Sequence, residues 1–206
     1  MKTMIAVPCM DMVHTDFMRS CLSLRAVDEI GYTFAQASLV YDGRNRLADA
    51  AIRGGWDRVL WLDSDMVFDP DLLERLSADL DEGREMVSGL YFSRKPPIHP
   101  VIYERCGLDA ETLRPVAETP KALPEAEIFP VEAVGFGAVL VSTGLLRRVV
   151  DRFGEPFTPI PGFGEDLSFC LRVRELGETV WCDRRVRPGH VGLYTYTHED
   201  WRPLNG

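Results

Sequence analysis

Through the first half of the chain, short unbroken apolar runs alternate with stretches whose apolar residues recur every three or four positions. The first pattern predicts buried strands and the second predicts helices with one buried face. Met4–Pro8 is the first run, ended by proline. A helix capped by Thr15 or Asp16 follows, with Phe17, Cys21 and Leu24 on one face and Gly31 closing it. Tyr32–Val40 reads as a weaker strand and Tyr41-Asp42-Gly43 as a turn. From about Asn45 to Arg53, Leu47, Ala48, Ala51 and Ile52 mark a helix stopped by Gly54-Gly55. The run Arg58–Phe68 is a strand that halts at Asp63, and Asp69-Pro70 is a helix start for the face Leu72, Leu73, Leu76 and Leu80. Glu85–Leu90 is the next strand. Strand and helix in alternation predict an α/β fold, a mostly parallel twisted sheet with helices on both faces.

The second half is less regular. Between Cys106 and Pro130 the prolines 115, 120, 124 and 130 lie among acids with little periodicity, as in an insertion or a functional loop. Val131–Val141 is apolar but carries Gly135-Phe136-Gly137, where the backbone bulges or admits a close neighbour. Ser142 caps a helix with the stripe Leu145, Leu146, Val149 and Val150. Gly164 to Gly177 is a helix with Glu165 and Asp166 in its first turn, and Thr179–Cys182 is a short strand. The tail from Gly189 to Gly206 is polar and aromatic.

Composition narrows the classes. With 206 residues, 46% of them hydrophobic, the chain can bury a substantial core as one domain. A formal charge of −9 argues against a general nucleic-acid or anionic-membrane surface. No apolar stretch is long enough to span a bilayer, and the start is too short for a signal peptide. Five cysteines without a C-x-x-C pair fit free thiols in a reducing, cytoplasmic setting.

The candidate chemistry centres on Asp63-Ser64-Asp65 at the end of the Arg58 run. Alternation along an extended strand points both acids the same way, at the sheet edge where open α/β folds bind ligands. Two carboxylates there suit a hard divalent cation that bridges to phosphate oxygens. A strand followed by an Asp-rich turn and a helix cap would read the same.

Four pieces in order resemble nucleotide-sugar-dependent glycosyltransferases of the GT-A fold, in particular family 2 and its phage-type relatives. They are Arg44-Asn45 opening a helix, Asp63-Ser64-Asp65 as the D-x-D motif, Gly135-Phe136-Gly137 as the pocket-lining strand, and Gly164-Glu165-Asp166 followed by Phe169 and Arg172. The resemblance spans roughly residues 4–195, without a match in the proline-rich middle. The family's acidic pair after the second strand is shortened here to Tyr41-Asp42-Gly43.

The resemblance implies a Rossmann-like nucleotide-sugar-binding half over about 1–95 and a smaller acceptor and catalytic half over about 96–206. It implies a nucleotide diphosphate sugar donor, a hydroxyl acceptor and Mn²⁺ or Mg²⁺. Asp65 would be the direct metal ligand, Asp63 would sit near the ribose or the metal's water shell, and His190 would be the third ligand, with His198 as the fallback. Arg44, Asn45 and Pro8 complete the expected donor set, and Lys95 is a further source of positive charge. Asp166 and Glu165 are the catalytic candidates. Asp166 would take the acceptor proton in an inverting transfer. The helix N-terminus lowers a carboxylate's pKa, so that role needs burial or an acidic neighbour such as Glu165. Two rivals remain open. Asp63-Ser64-Asp65-Met66-Val67 also fits the nucleophile loop of haloacid-dehalogenase-type phosphohydrolases. A non-catalytic nucleotide-sugar-binding module would keep the same acids.

Overall fold

A computed structural model describes residues 1–192 and 195–201 of the chain. The remaining tail residues, 193–194 and 202–206, lie outside the described residues. Alternation along the central strands sets the architecture. In β1 (Lys2–Cys9), Met4 and Ala6 enter one core and Ile5 and Val7 the other. In β3 (Arg58–Leu62), Val59 and Trp61 join the first core and Leu60 and Leu62 the second. A sheet with two apolar faces must be covered on both. Helices α1 (Thr15–Ser23) and α3 (Leu72–Asp81) bury Phe17, Cys21, Leu72, Leu73 and Leu76 on the second face. Helices α2 (Val40–Arg53), α4 (Thr143–Phe153) and α5 (Glu165–Glu175) cover the first.

The main sheet has seven strands in the order β2-β1-β3-β11-β5-β12-β9. These include β2 (Glu29–Gln36), β5 (Met86–Gly89), β9 (Ile128–Val131), β11 (Ala138–Ser142) and β12 (Val180–Asp183). Strands β2, β1, β3, β5 and β12 run one way and β11 and β9 the other. Short pairs flank it. Strand β4 (Met66–Val67) pairs with β13 (Gly189–Val191), which pairs with β14 (Thr195–Tyr196). Strand β6 (Ile102–Tyr103) pairs with β10 (Ala133–Val134), and β7 (Arg105–Leu108) with β8 (Pro115–Glu118). All five cysteines are free, and no helix among the described residues is long and apolar enough to cross a membrane.

Several boundaries differ from the expected ones. Helix α1 ends at Ser23, and Gly31 lies inside β2, where its bare backbone admits the Trp56 ring. Tyr41-Asp42-Gly43 is no turn: it forms the first turn of α2, supported by Asp42 and its 3.0 Å ion pair with Arg46. Helix α3 starts two residues late, after a turn in which Leu72 N donates to Asp69 O at 3.1 Å. The run 131–141 is divided among the end of β9, β10 and β11, and Tyr91 occupies the space that a side chain at Gly135 or Gly137 would need. The proline-rich segment is built, with Pro115 opening β8 and Pro130 in β9 at the sheet edge, where a missing N–H is tolerated.

Candidate active site

The carboxyl ends of the neighbouring strands β2, β1 and β3 open into a cavity of about 360 Å³. Pro8, Cys9 and Met10 line it from β1, Ala35 and Ala37 from β2, and Val40, Gly43 and Arg44 from α2. Asp63, Ser64, Asp65, Arg94, Glu165 and His190 complete the wall. Residues from both halves of the chain therefore meet there.

Asp63 and Asp65 both reach the cavity, but from a turn rather than an extended strand. Strand β3 stops at Leu62, and Met66 N donates to Asp63 O at 3.1 Å. Each residue of the turn is tied by its backbone to another element: Asp63 N to Gly137 O at 3.1 Å, Ser64 O to His14 N at 3.0 Å, and Asp65 O to Val191 N at 2.8 Å. Three long-range bonds on three consecutive residues fix where the carboxylates sit.

Arg44 does not open α2 but stands in its second turn, only 2% exposed. Its Nη2 donates to Asp63 Oδ1 at 2.7 Å, its Nε lies 3.5 Å from Glu165 Oε1, and its guanidinium packs over Phe136 and Phe157. Burial works against this charge, but Asp63, Glu165 and Asp166 outweigh it and raise the pKa. Asp63 is pushed up by burial and by Asp65 and pulled down by Arg44. A third of its side chain still faces the cavity, and the short contact to a guanidinium keeps the ion pair. Paired with these acids, Arg44 acts on the cavity through Asp63 and Glu165.

His190 Nδ1 lies 3.1 Å from Phe92 O, and a carbonyl only accepts, so that nitrogen carries hydrogen. Its Nε2 then faces Asp65 Oδ2 at 3.5 Å. The His190 ring stacks edge-on against Tyr91, whose hydroxyl accepts from Gly137 N at 3.0 Å. Burial pushes Asp65 up, but His190, when its ring carries a hydrogen on both nitrogens and donates from Nε2, and Arg94 hold its carboxyl below the usual range. Arg94 Nη1 pairs with the same Asp65 Oδ2. Among the described residues no group of three or more His, Cys, Asp or Glu side chains gathers closely enough to hold a metal alone. An acid oxygen and an imidazole nitrogen facing one point are nevertheless a donor pair suited to a divalent cation that takes its other ligands from phosphate and water.

Asp166 sits in the first turn of α5, half-buried, with Oδ1 accepting from Leu167 N at 2.8 Å. Burial and then Glu165 raise its pKa to about 6, against the pull of the Leu167 amide and Arg44. Both conditions that the sequence sets for a base at a helix start are present.

Other candidates fall elsewhere. Asn45 does not line the cavity: its Oδ1 accepts from Phe157 N at 2.8 Å and its Nδ2 donates to Thr158 Oγ1 at 3.2 Å, tying α2 to that loop. His198 packs edge-on against Phe92 and Trp201. Lys95 is exposed and outside the cavity lining, and its neighbour Arg94 is the cation that reaches the acids. Arg94 and Tyr91 escape sequence reasoning; their adjacency to the strand end at Gly89-Leu90 was the available signal.

No protein-family model matches the chain, and a search of curated proteins finds no match. Among solved structures it is similar to A197 from STIV, with a TM-score of 0.67 at 16% identity over 93% of this chain and 86% of that one. It is also similar to GalNAc-T7, solved with UDP, GalNAc and Mn²⁺, with a TM-score of 0.62 at 13% identity over 98% of this chain. That alignment spans 45% of the GalNAc-T7 chain. What these likenesses share with the chain is its fold, a GT-A-like α/β architecture.

Proposed function

We propose that the chain is a divalent-cation-dependent glycosyltransferase that moves a sugar from a nucleotide diphosphate sugar to an acceptor hydroxyl. The observation that carries this is the meeting of Asp65, Asp63, His190 and Arg94 in one cavity at the carboxyl ends of three parallel strands. A GalNAc-T7 structure holding UDP and Mn²⁺ on a similar fold supports the same reading. The half up to about residue 95 holds the donor, and the half beyond it supplies Glu165 and His190 to the cavity wall, with Asp166 outside that lining and next to Glu165 in the first turn of α5.

Asp65 Oδ2 and His190 Nε2 are the residues that would hold Mn²⁺ or Mg²⁺. The bound ion supplies Lewis-acid stabilisation of the charge that builds on the departing diphosphate. Asp63, held by Arg44, would orient the ribose or the ion's water shell, and Pro8 lines the same cavity. Asp166 accepts the acceptor's proton as the hydroxyl oxygen bonds to the sugar carbon and the bond to the diphosphate breaks, which inverts that carbon. A phosphohydrolase would instead use Asp63 as a nucleophile on phosphorus, and loss of aryl phosphate turnover in Asp63→Asn would favour that second reading.

The test is a thermal-shift panel of nucleoside diphosphates with and without Mn²⁺. Stabilisation is expected only with the ion, reaching about 2.7 kcal/mol at a hundredfold excess over Kd. Asp65→Ala should abolish it while leaving the unliganded fold intact. Undiminished metal-dependent affinity in that variant would remove Asp65 from the site.

A further inference from the structure

Two arginines line the donor cavity, and they differ sharply. The Arg44 side chain is 3% exposed, whereas that of Arg94 is 47% exposed. Arg94 Nη1 also binds Asp65 Oδ2, the oxygen that faces His190 Nε2 at 3.5 Å. Its guanidinium therefore occupies the same carboxylate oxygen that a cation shared by Asp65 and His190 would take. The loop that carries Arg94 is pinned at its neck, where Ser93 N donates to His99 O at 2.9 Å and His99 N to Ser93 Oγ at 3.1 Å. Beyond that neck the residues at 94–97 are exposed, so the guanidinium can swing without disturbing the sheet.

Charge makes such a swing useful. With its acids ionised, the cavity wall sets three carboxylates, Asp63, Asp65 and Glu165, against two guanidiniums, Arg44 and Arg94, a surplus of one negative charge before any ligand enters. A diphosphate is repelled by that surplus. A divalent cation arriving alone must compete with Arg94 for one oxygen. Arriving with a diphosphate, it frees Arg94 toward a new anionic partner that the guanidinium fork fits.

We propose that Arg94 is an exchangeable counter-cation: it neutralises Asp65 in the metal-free site and passes to the donor's diphosphate when a divalent cation takes Asp65 and His190. This rests on the donor-site assignment above. Metal and nucleotide then bind with positive coupling, each raising the other's affinity by the same factor.

Titration calorimetry tests this with Mn²⁺ alone and with Mn²⁺ plus uridine, guanosine, adenosine or cytidine diphosphate. Arg94→Ala should bind Mn²⁺ alone roughly two- to fivefold more tightly, the worth of an exposed ion pair. The same variant should bind the nucleoside diphosphate in saturating Mn²⁺ about tenfold or more weakly, having lost a charged hydrogen bond. Arg94→Lys should keep Mn²⁺ binding near that of the unmodified protein. Unchanged or weaker binding of Mn²⁺ alone by Arg94→Ala overturns the exchange while leaving the donor site standing. If the unmodified protein binds neither Mn²⁺ nor any nucleoside diphosphate, both assignments fall.

Discussion

Asp166 is a carboxylate whose surroundings set its chemistry more than its place in the sequence does. The first turn of α5 offers it an amide from Leu167, which favours the anion. Burial and Glu165 work the other way and win, lifting the pKa to about 6. A carboxylate so placed is ionised at neutral pH yet takes a proton readily, as the proposed role of general base requires. The transfer rate should therefore climb about tenfold per pH unit up to about 6 and level off above. Asp166→Asn should keep donor affinity and lose roughly 10²–10⁴ in rate. The stability effect has a definite sign. Because folding raises the pKa, the stabilisation from protonated Asp166 is fully present below the ordinary carboxylate range and is lost as pH rises through about 6. Asp166→Asn should then match or exceed the unmodified protein at pH 8, by on the order of 1 kcal/mol. A melting temperature clearly lowered at pH 8, together with a near-normal rate, would return Asp166 to the role of a helix-start acid. At this scale the sequence shows which residues are acids and bases, and burial decides their use. Arg44 and Lys95 read as the phosphate-side charges; Arg44 lines the cavity as the 2%-exposed partner of Asp63, whereas Lys95 lies outside the lining.

Elements with strong local signals were legible, and those shaped by distant neighbours were not. Helix α5 begins and ends where Gly164 and Gly177 place it, and Ser142 caps α4 by accepting from Leu145 N at 2.9 Å. Helix α2 hid its first turn because Asp42-Gly43 has turn-forming residue types, while the packing of Gly43 against Ala35 and Ala37 is invisible locally. The antiparallel direction of β11 between β3 and β5 depends on a long connection with no local signature. The two glycines before β11 were readable as a site of close approach, but Tyr91 as the approaching group was not. A methyl at Gly137 would lie 2.8 Å from Tyr91 Cζ, part of a rigid ring already bonded to the Gly137 amide. Gly137→Ala should cost about 1–3 kcal/mol in denaturant unfolding, as overpacking does. It should also weaken Mn²⁺-dependent nucleotide binding, since Gly137 O holds Asp63 N and Tyr91 backs His190. Unfolding and binding both within error of the unmodified protein would show that this junction has slack.

Across the whole molecule, the path to His190 begins at a buried charge cluster on the far side of the sheet from α5. Arg185 Nε donates to Asp183 Oδ1 at 2.9 Å, its Nη2 reaches Asp79 Oδ1 at 3.1 Å, and its Nη1 lies 3.4 Å from Glu127 Oε2. One guanidinium thus ties α3, the end of β12 and the segment before β9. The next residue accepts from Leu90 N at 2.8 Å through Val186 O, and four residues further on stands His190. Asp183 is fully buried and Asp79 nearly so. Burial first, and the neighbouring Asp183 carboxylate second, push Asp79 up to about 7 against the pull of Arg185 and Arg84. The raised pKa means that protonated Asp79 contributes stability below the ordinary carboxylate range, and that this contribution is lost as pH rises through about 7. Removing Arg185 strands two carboxylates above that pH and one below it. Arg185→Ala should therefore destabilise the fold by about 2 kcal/mol at pH 8.5, less than for a fully buried pair because Arg185 is 40% exposed. The loss should shrink at pH 5.5, where Asp79 carries its proton. On the proposed metal site, Mn²⁺ affinity should fall with it, because the segment leading to His190 loses its anchor while Asp65 and His190 themselves are unchanged. Denaturant unfolding at the two pH values decides the matter: an equal loss at both would mean that Asp79 does not share the site's protonation, and that Arg185 holds the segment by packing alone.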